Sequence, residues 1–170
     1  MRQPRSVKDI QKFAGCLASL SRFISRLGEK ALPLYHLLKK TDKFVWSDAA
    51  DAAFKELKRA MATAPVLAPP TPKEPMLMYI AASNRVVSVV LVVERDEAGK
   101  QRPVQRPVYY LSEVLSQSKQ NYPHYQKLVY GVYMATKKLK HYFQEHPVKV
   151  ISDAPLAEII GRSEERRVGK

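Results

Sequence analysis

The stretch Met76 to Arg95, MLMYIAASNRVVSVVLVVER, most restricts what this chain can fold into. Two apolar runs are hinged at Ala82-Ser83-Asn84-Arg85. Pro75 bounds the first run, Met76 to Ala81, and the second, Val86 to Glu94, holds six valines. Branched side chains lose χ1 freedom against a preceding helical turn but fit a pleated sheet. The pair therefore predicts a β-hairpin in the middle of a sheet.

A chain of 170 residues is long enough for one domain with a core, or a small pair. Hydrophobic residues at 45% exclude a disordered tail. No apolar run approaches the ~20 residues of a membrane helix, and the N-terminal MRQPRSVKD has no secretory apolar region. The single cysteine, Cys16, excludes an internal disulfide and a cysteine-based zinc site. Its place in a helical pattern predicts a small core residue, and a cytosolic or nuclear compartment is expected. The net charge of +13 points to a polyanionic partner. Nucleic acid comes first, ahead of an anionic membrane or a merely solvated basic surface.

In the N-terminal part, Ile10, Phe13, Leu17, Leu20, Ile24 and Leu27 recur at spacings of three and four, predicting one helix over 6–27. Ser6 is its expected N-cap and Gly28 its C-terminal stop. Another face carries Gln11, Gly15, Ser19, Arg22 and Arg26. A glycine within a helix costs about 1 kcal/mol against alanine, so Gly15 needs a reason: close helix packing, or close approach of a nucleic-acid backbone. A second helix is predicted over 30–40, with Leu34, Leu37 and Leu38 inward. Lys39 and Lys40 at its end suit either the helix dipole or phosphate contact. Phe44-Val45-Trp46 is an apolar anchor, and Ser47 caps a third helix to about Thr63, with Phe54, Leu57 and Met61 inward. Residues 64–75 contain five prolines and form an extended connector, the expected domain boundary.

Beyond the hairpin, Val104 to Leu111 is a third strand. The tetrad Gln101-Arg102-Pro103-Val104 is repeated as Gln105-Arg106-Pro107-Val108, and proline's missing donor allows at most one copy in the sheet. A long helix is expected from Pro123 to about Phe143, with Leu128, Val132, Ala135, Leu139 and Tyr142 inward and Lys127, Lys137, Lys138 and Lys140 outside. A fourth strand over 148–152 precedes a helix that fades by Arg162. His124, His141 and His146 are irregularly spaced and expected to be solvated. The order β-β-β-α-β-α gives an α/β class with a mixed sheet flanked by helices.

Seven segments, in one order and spacing over about residues 4–160, carry a resemblance. They are VKDIQKFAGCLASLSRFI from Val7, Leu37-Leu38-Lys39-Lys40, Phe44 to Trp46, AFKELK from Ala53, Ala64-Pro65-Val66-Leu67, PVYYLS from Pro107, and Asn121-Tyr122 with the long helix. Together they resemble the Pol polyprotein of Ty3/gypsy-type LTR retrotransposons, with wording nearest plant elements. The resemblance implies a helical end of the reverse transcriptase thumb over 1–63, a connector over 64–75 and an RNase H-like domain over 76–160. In that family the first thumb helix tracks the minor groove of the primer–template duplex. Gln11, Gly15 and Ser19 match its track positions, so the resemblance favours nucleic-acid contact at Gly15.

RNase H chemistry needs carboxylates that hold two Mg²⁺ ions about 3.5–4 Å apart. The family's first Asp falls at Ala81, within Ala81-Ala82-Ser83, and two glycines that normally follow are Val86 and Ser88. The helix Glu falls at Leu128, with Gln126 at the neighbouring acidic position, and the third position is retained as Asp153. Alanine and leucine cannot bind Mg²⁺, and Asp153 is expected to cap the following helix. The resemblance therefore implies a degenerate, connection-type RNase H fold with no metal or cofactor of its own, Mg²⁺ belonging to the parent enzyme. Its expected partners are an RNA–DNA hybrid or DNA duplex and the remaining Pol domains: palm, downstream RNase H and integrase. No membrane partner is expected. The setting would be a cytoplasmic virus-like particle or the nucleus. The fold is expected to be truncated at its C-terminal side. The segment 161–170, GRSEERRVGK, leaves the family pattern and resembles translated vector sequence. Two other readings remain open: an active RNase H, and a structural remnant of a decayed element.

Overall fold

Ser6 sets the start of the first helix, its Oγ accepting from Asp9 N at 3.2 Å. Helix α1 spans Val7–Ser19 and buries Ile10, Phe13 and Leu17. It then stops, earlier than the apolar spacing predicts. A 3₁₀ turn covers Ser21–Phe23, and Arg26 takes a left-handed conformation with φ 53. The chain is redirected, yet Ile24 and Leu27 still enter the same core. Leu20, on the predicted stripe, is exposed. The computed structural model describes residues 1–39 and 43–158. Lys40 and the segment 161–170 lie outside these, as does the predicted end of the last helix.

Gly28 is not a stop; it lies inside α2, Leu27–Tyr35. Its amide donates to Ser112 Oγ at 2.8 Å, and a Cβ there would stand 2.9 Å from Val86 Cγ1. The glycine is what lets α2 rest on the sheet. Pro33 removes one intrahelical donor, and α2 tightens into a 3₁₀ turn at His36–Leu38. Ser47 caps α3, Asp48–Ala62, through Ala50 N at 3.1 Å. Phe54 of α3 meets Phe13 and Trp46 edge-on, closing a helical core. Among the described residues no helix is long and apolar enough to cross a membrane.

The hairpin forms as its sequence predicts: β1, Met76–Ala82, pairs antiparallel with β2, Val86–Arg95. β3, Val104–Val114, adds beside β2, and β4, Val148–Ile151, lies parallel to β1, giving the order β3-β2-β1-β4. β3 takes in the second proline tetrad, while Gln101-Arg102-Pro103 stays outside the strand. The register skips Val108 as it passes from Tyr109 to Pro107. Pro107 thus lies on the outermost strand, where its missing N–H costs no ladder bond and its carbonyl accepts from Ala68 N at 2.9 Å.

Alternation assigns each side chain to a face. Met76, Met78, Ile80, Val87, Val89, Leu91 and Val93 form one core with Leu128, Met134 and Ala135 of α5, His124–Lys138. The predicted long helix breaks at Leu139, and α6, Lys140–Glu145, follows; α4 is the short turn Gln117–Gln120. The opposite face carries Tyr79, Ala81, Val86 and Ser88, with Val86 touched by α2. The connector is fastened to this sheet. Arg95 donates to both oxygens of Glu74 at 3.0 Å and to the Pro69 carbonyl at 2.7 Å. That pairing holds the Glu74 carboxyl down at about 2.

Candidate nucleic-acid interface

The outer face of α1 follows from its caps and period. With Ile10, Phe13 and Leu17 buried, Gln11, Gly15 and Ser19 are left exposed along one line. A Cβ added at Gly15 would meet nothing within 4 Å. No packing contact among the described residues requires a glycine there. Lys8 and Lys12 are exposed on the same helix, and sequence reasoning passed over them. Their i, i+4 spacing was the available signal. Cys16 is exposed, not a core residue.

The structure divides the predicted basic end of this face. Arg22 lies beyond the helix, its guanidinium 5.4 Å from the ring centres of both Phe23 and Tyr109. It remains exposed and bridges the helical part to β3. Arg26, in its left-handed turn, is ion-paired with Glu29. Neither continues the helical line of Gln11, Gly15 and Ser19. Lys39 is exposed after the 3₁₀ turn, in an extended conformation.

The three positions that the resemblance aligns with metal-binding carboxylates are not brought together. Ala81 pairs with Ser88 and lies on the sheet face opposite α5. Leu128 is fully buried in the core on the α5 face. The neighbours of Ala81 that face α5 are Ile80 and Ala82, both apolar. Asp153 does not cap a helix. Ser152 Oγ accepts from Ala154 N at 3.2 Å, and the Asp153 carboxylate stands 3.7 Å from His124 Nε2 on the surface. Among the described residues no three His, Cys, Asp or Glu side chains could share a metal ion. The residues present do not fit the two-metal arrangement, and no chemical step through it follows.

Two expectations in and after the long helix fail because carbonyls distant in sequence satisfy the polar atoms. Lys127 is buried, because its stem lies under the hairpin link and its Nζ reaches the Asn84 carbonyl at 3.2 Å. His146 is buried as well, with Nδ1 3.0 Å from the Glu74 carbonyl. Lys138 is on the surface but committed to Glu113 at 3.1 Å. Burial alone would raise the Glu113 carboxyl; hydrogen bonds from Tyr130 and Lys138 outweigh it and hold the group low.

Comparison with known proteins gives the family and the fold. Residues 46–150 match the family described as the RNase H-like domain found in reverse transcriptase. The chain belongs to that family. It is 27% identical over 163 residues to a Pol polyprotein of feline endogenous virus ECE1, covering 96% of this chain and 15% of that protein. It is also 27% identical over 154 residues to the transposon Tf2-3 polyprotein of Schizosaccharomyces pombe, covering 89% of this chain and 11% of that one. The chain thus spans a small part of these relatives. Among solved structures it resembles the foamy viral protease–reverse transcriptase in complex with dsDNA, with a TM-score of 0.74 at 20% identity over 95% of this chain and 33% of that one. The same viral protein in complex with an RNA/DNA hybrid gives 0.70 at 20% identity, over 88% and 20%. These likenesses establish the mixed α/β RNase H-like fold.

Proposed function

We propose that this Pol segment binds an RNA–DNA hybrid or DNA duplex and positions it for active sites elsewhere in the polyprotein, without cleaving it. The observation that carries the reading is the open face of α1. Gly15 leaves room for a close-approaching backbone, and Lys8 and Lys12, about two turns and one turn before it, add positive charge. The net charge of +13 supplies long-range attraction to a polyanion. Ala81 and Leu128, which offer no oxygen ligands, support the absence of catalysis and of a resident Mg²⁺. The likeness to viral complexes with dsDNA and RNA/DNA hybrid supports the choice of partner.

The seven segments and the likeness to a Tf2 polyprotein support a Ty3/gypsy-type element, and the wording of those segments a plant one. Its partners would then be the palm, a second intact RNase H and integrase, in a cytoplasmic particle or the nucleus. The test is filter binding of a labelled hybrid across a salt series. Affinity should fall log-linearly, with about one unit of slope per neutralised phosphate. Affinity that does not change with salt would remove this reading.

A further inference from the structure

A basic groove lined by no residue of α1 lies between α2 and the end of the sheet. Two adjoining hollows of about 560 and 460 Å³ share Leu32, His36, Lys39 and Arg85. The larger adds Lys43 and the first turn of α3, and the smaller adds Gln117. Four basic side chains thus converge from the 3₁₀ turn after α2, the chain before α3, and the β1–β2 link. Among the described residues none that lines the hollows is acidic, and none of the four basic groups is ion-paired with a described carboxylate. Arg26, Lys55, Arg95, Lys100, Arg106 and Lys138, by contrast, each have a carboxylate partner.

Arg85 is not on a loose loop. Its carbonyl accepts from Leu115 N at 2.7 Å, and Ser83 N closes the link onto the Val86 carbonyl at 2.8 Å. The link therefore holds the Arg85 backbone at a fixed place beside Lys39. Apolar Leu32, Pro33 and Val45 line the same groove. Such a surface suits a chain that alternates charged and apolar parts, with phosphates on the cations and sugars against the carbon surface.

We propose that this groove is a second phosphodiester-binding track, holding the backbone of the same nucleic acid at a point separate from α1. It rests on the duplex-binding reading and adds a site to it. Two phosphates neutralised by Lys39 and Arg85 would account for about two units of the salt slope.

The test compares three double variants of the full chain by fluorescence anisotropy with an RNA–DNA hybrid over a salt series. Lys39→Gln with Arg85→Gln should lower the slope by about 2. Lys73→Gln with Arg102→Gln removes the same charge at the far end of β2, about 30 Å away, and should leave the slope nearly unchanged. Lys8→Gln with Lys12→Gln reports on α1. Lys43→Gln alone repeats the groove test without touching the β1–β2 link, and should lower the slope by about 1. A groove variant no weaker than the far-end control, with the α1 variant impaired, overturns the groove and leaves duplex binding standing. Full affinity in every variant, or none in the parent chain, overturns both.

Discussion

Gly15 and Gly131 are both mid-helix glycines, and they mark opposite kinds of surface. At Gly131 a Cβ would stand 2.7 Å from Val87 Cγ1 and 3.0 Å from Ile80 Cγ2. At Gly15 it would meet nothing within 4 Å. The first glycine lets α5 sit down on the hairpin. The second keeps a surface low where nothing of this chain lies. Leu128, which the resemblance aligns with a catalytic carboxylate, is packed into the core, and the α1 face that it aligns with duplex contact is open. On the proposed reading, duplex contact falls on the helical part, with the sheet as its support.

The largest expected effect tests the packed side. Leu128→Glu restores the family's acidic residue type but puts an unpaired charge in a full core. It should cost at least ~3 kcal/mol in chemical denaturation; an unchanged midpoint would break the contrast. Gly131→Ala comes next. Alanine gains about 1 kcal/mol in helix propensity, but the crowding against Val87 should reverse the sign and leave a loss of about 1–2 kcal/mol.

The connector offers a third test through pH. Glu74 has its carboxyl lowered from 4.5 to about 2 by Arg95. A carboxylate depressed in the folded state stabilises above its unfolded value and loses that contribution as pH falls. Stability should therefore decline from about pH 5 toward pH 2, by about 1–2 kcal/mol after allowance for the partly exposed Arg95. Glu74→Gln should flatten that acid limb in melts recorded across pH. The smallest effect lies on the open side. Gly15→Ala should raise stability by up to about 1 kcal/mol while weakening hybrid binding a few-fold by anisotropy. Tighter binding would mean that α1 is not the contact face.

The sheet was largely legible in the sequence, because valine-rich alternation and Pro75 report directly on local backbone preference. The fate of the proline repeat was legible too, since a missing N–H is a local property. The break in the first helix was not. Ile24 and Leu27 keep the helical spacing through a left-handed Arg26, because both segments feed one core. Gly28 carried the wrong meaning for a related reason: its purpose is contact with Val86 and Ser112, 58 and more residues away in sequence. Lys127 and His146 were misplaced because their polar atoms are satisfied by the distant carbonyls of Asn84 and Glu74. On the candidate site, periodicity found Gln11, Gly15 and Ser19. It could not show that Arg26 is already paired, nor that Arg85 would stand beside Lys39.

On the proposed function, this chain holds a hybrid and leaves it whole. The direct measurement is incubation of the purified protein with a hybrid labelled on its RNA strand, in Mg²⁺, followed by separation of bound complex and of RNA fragments. A salt-sensitive complex with intact RNA is expected. Cleavage of the RNA that Asp153→Asn abolishes would contradict it.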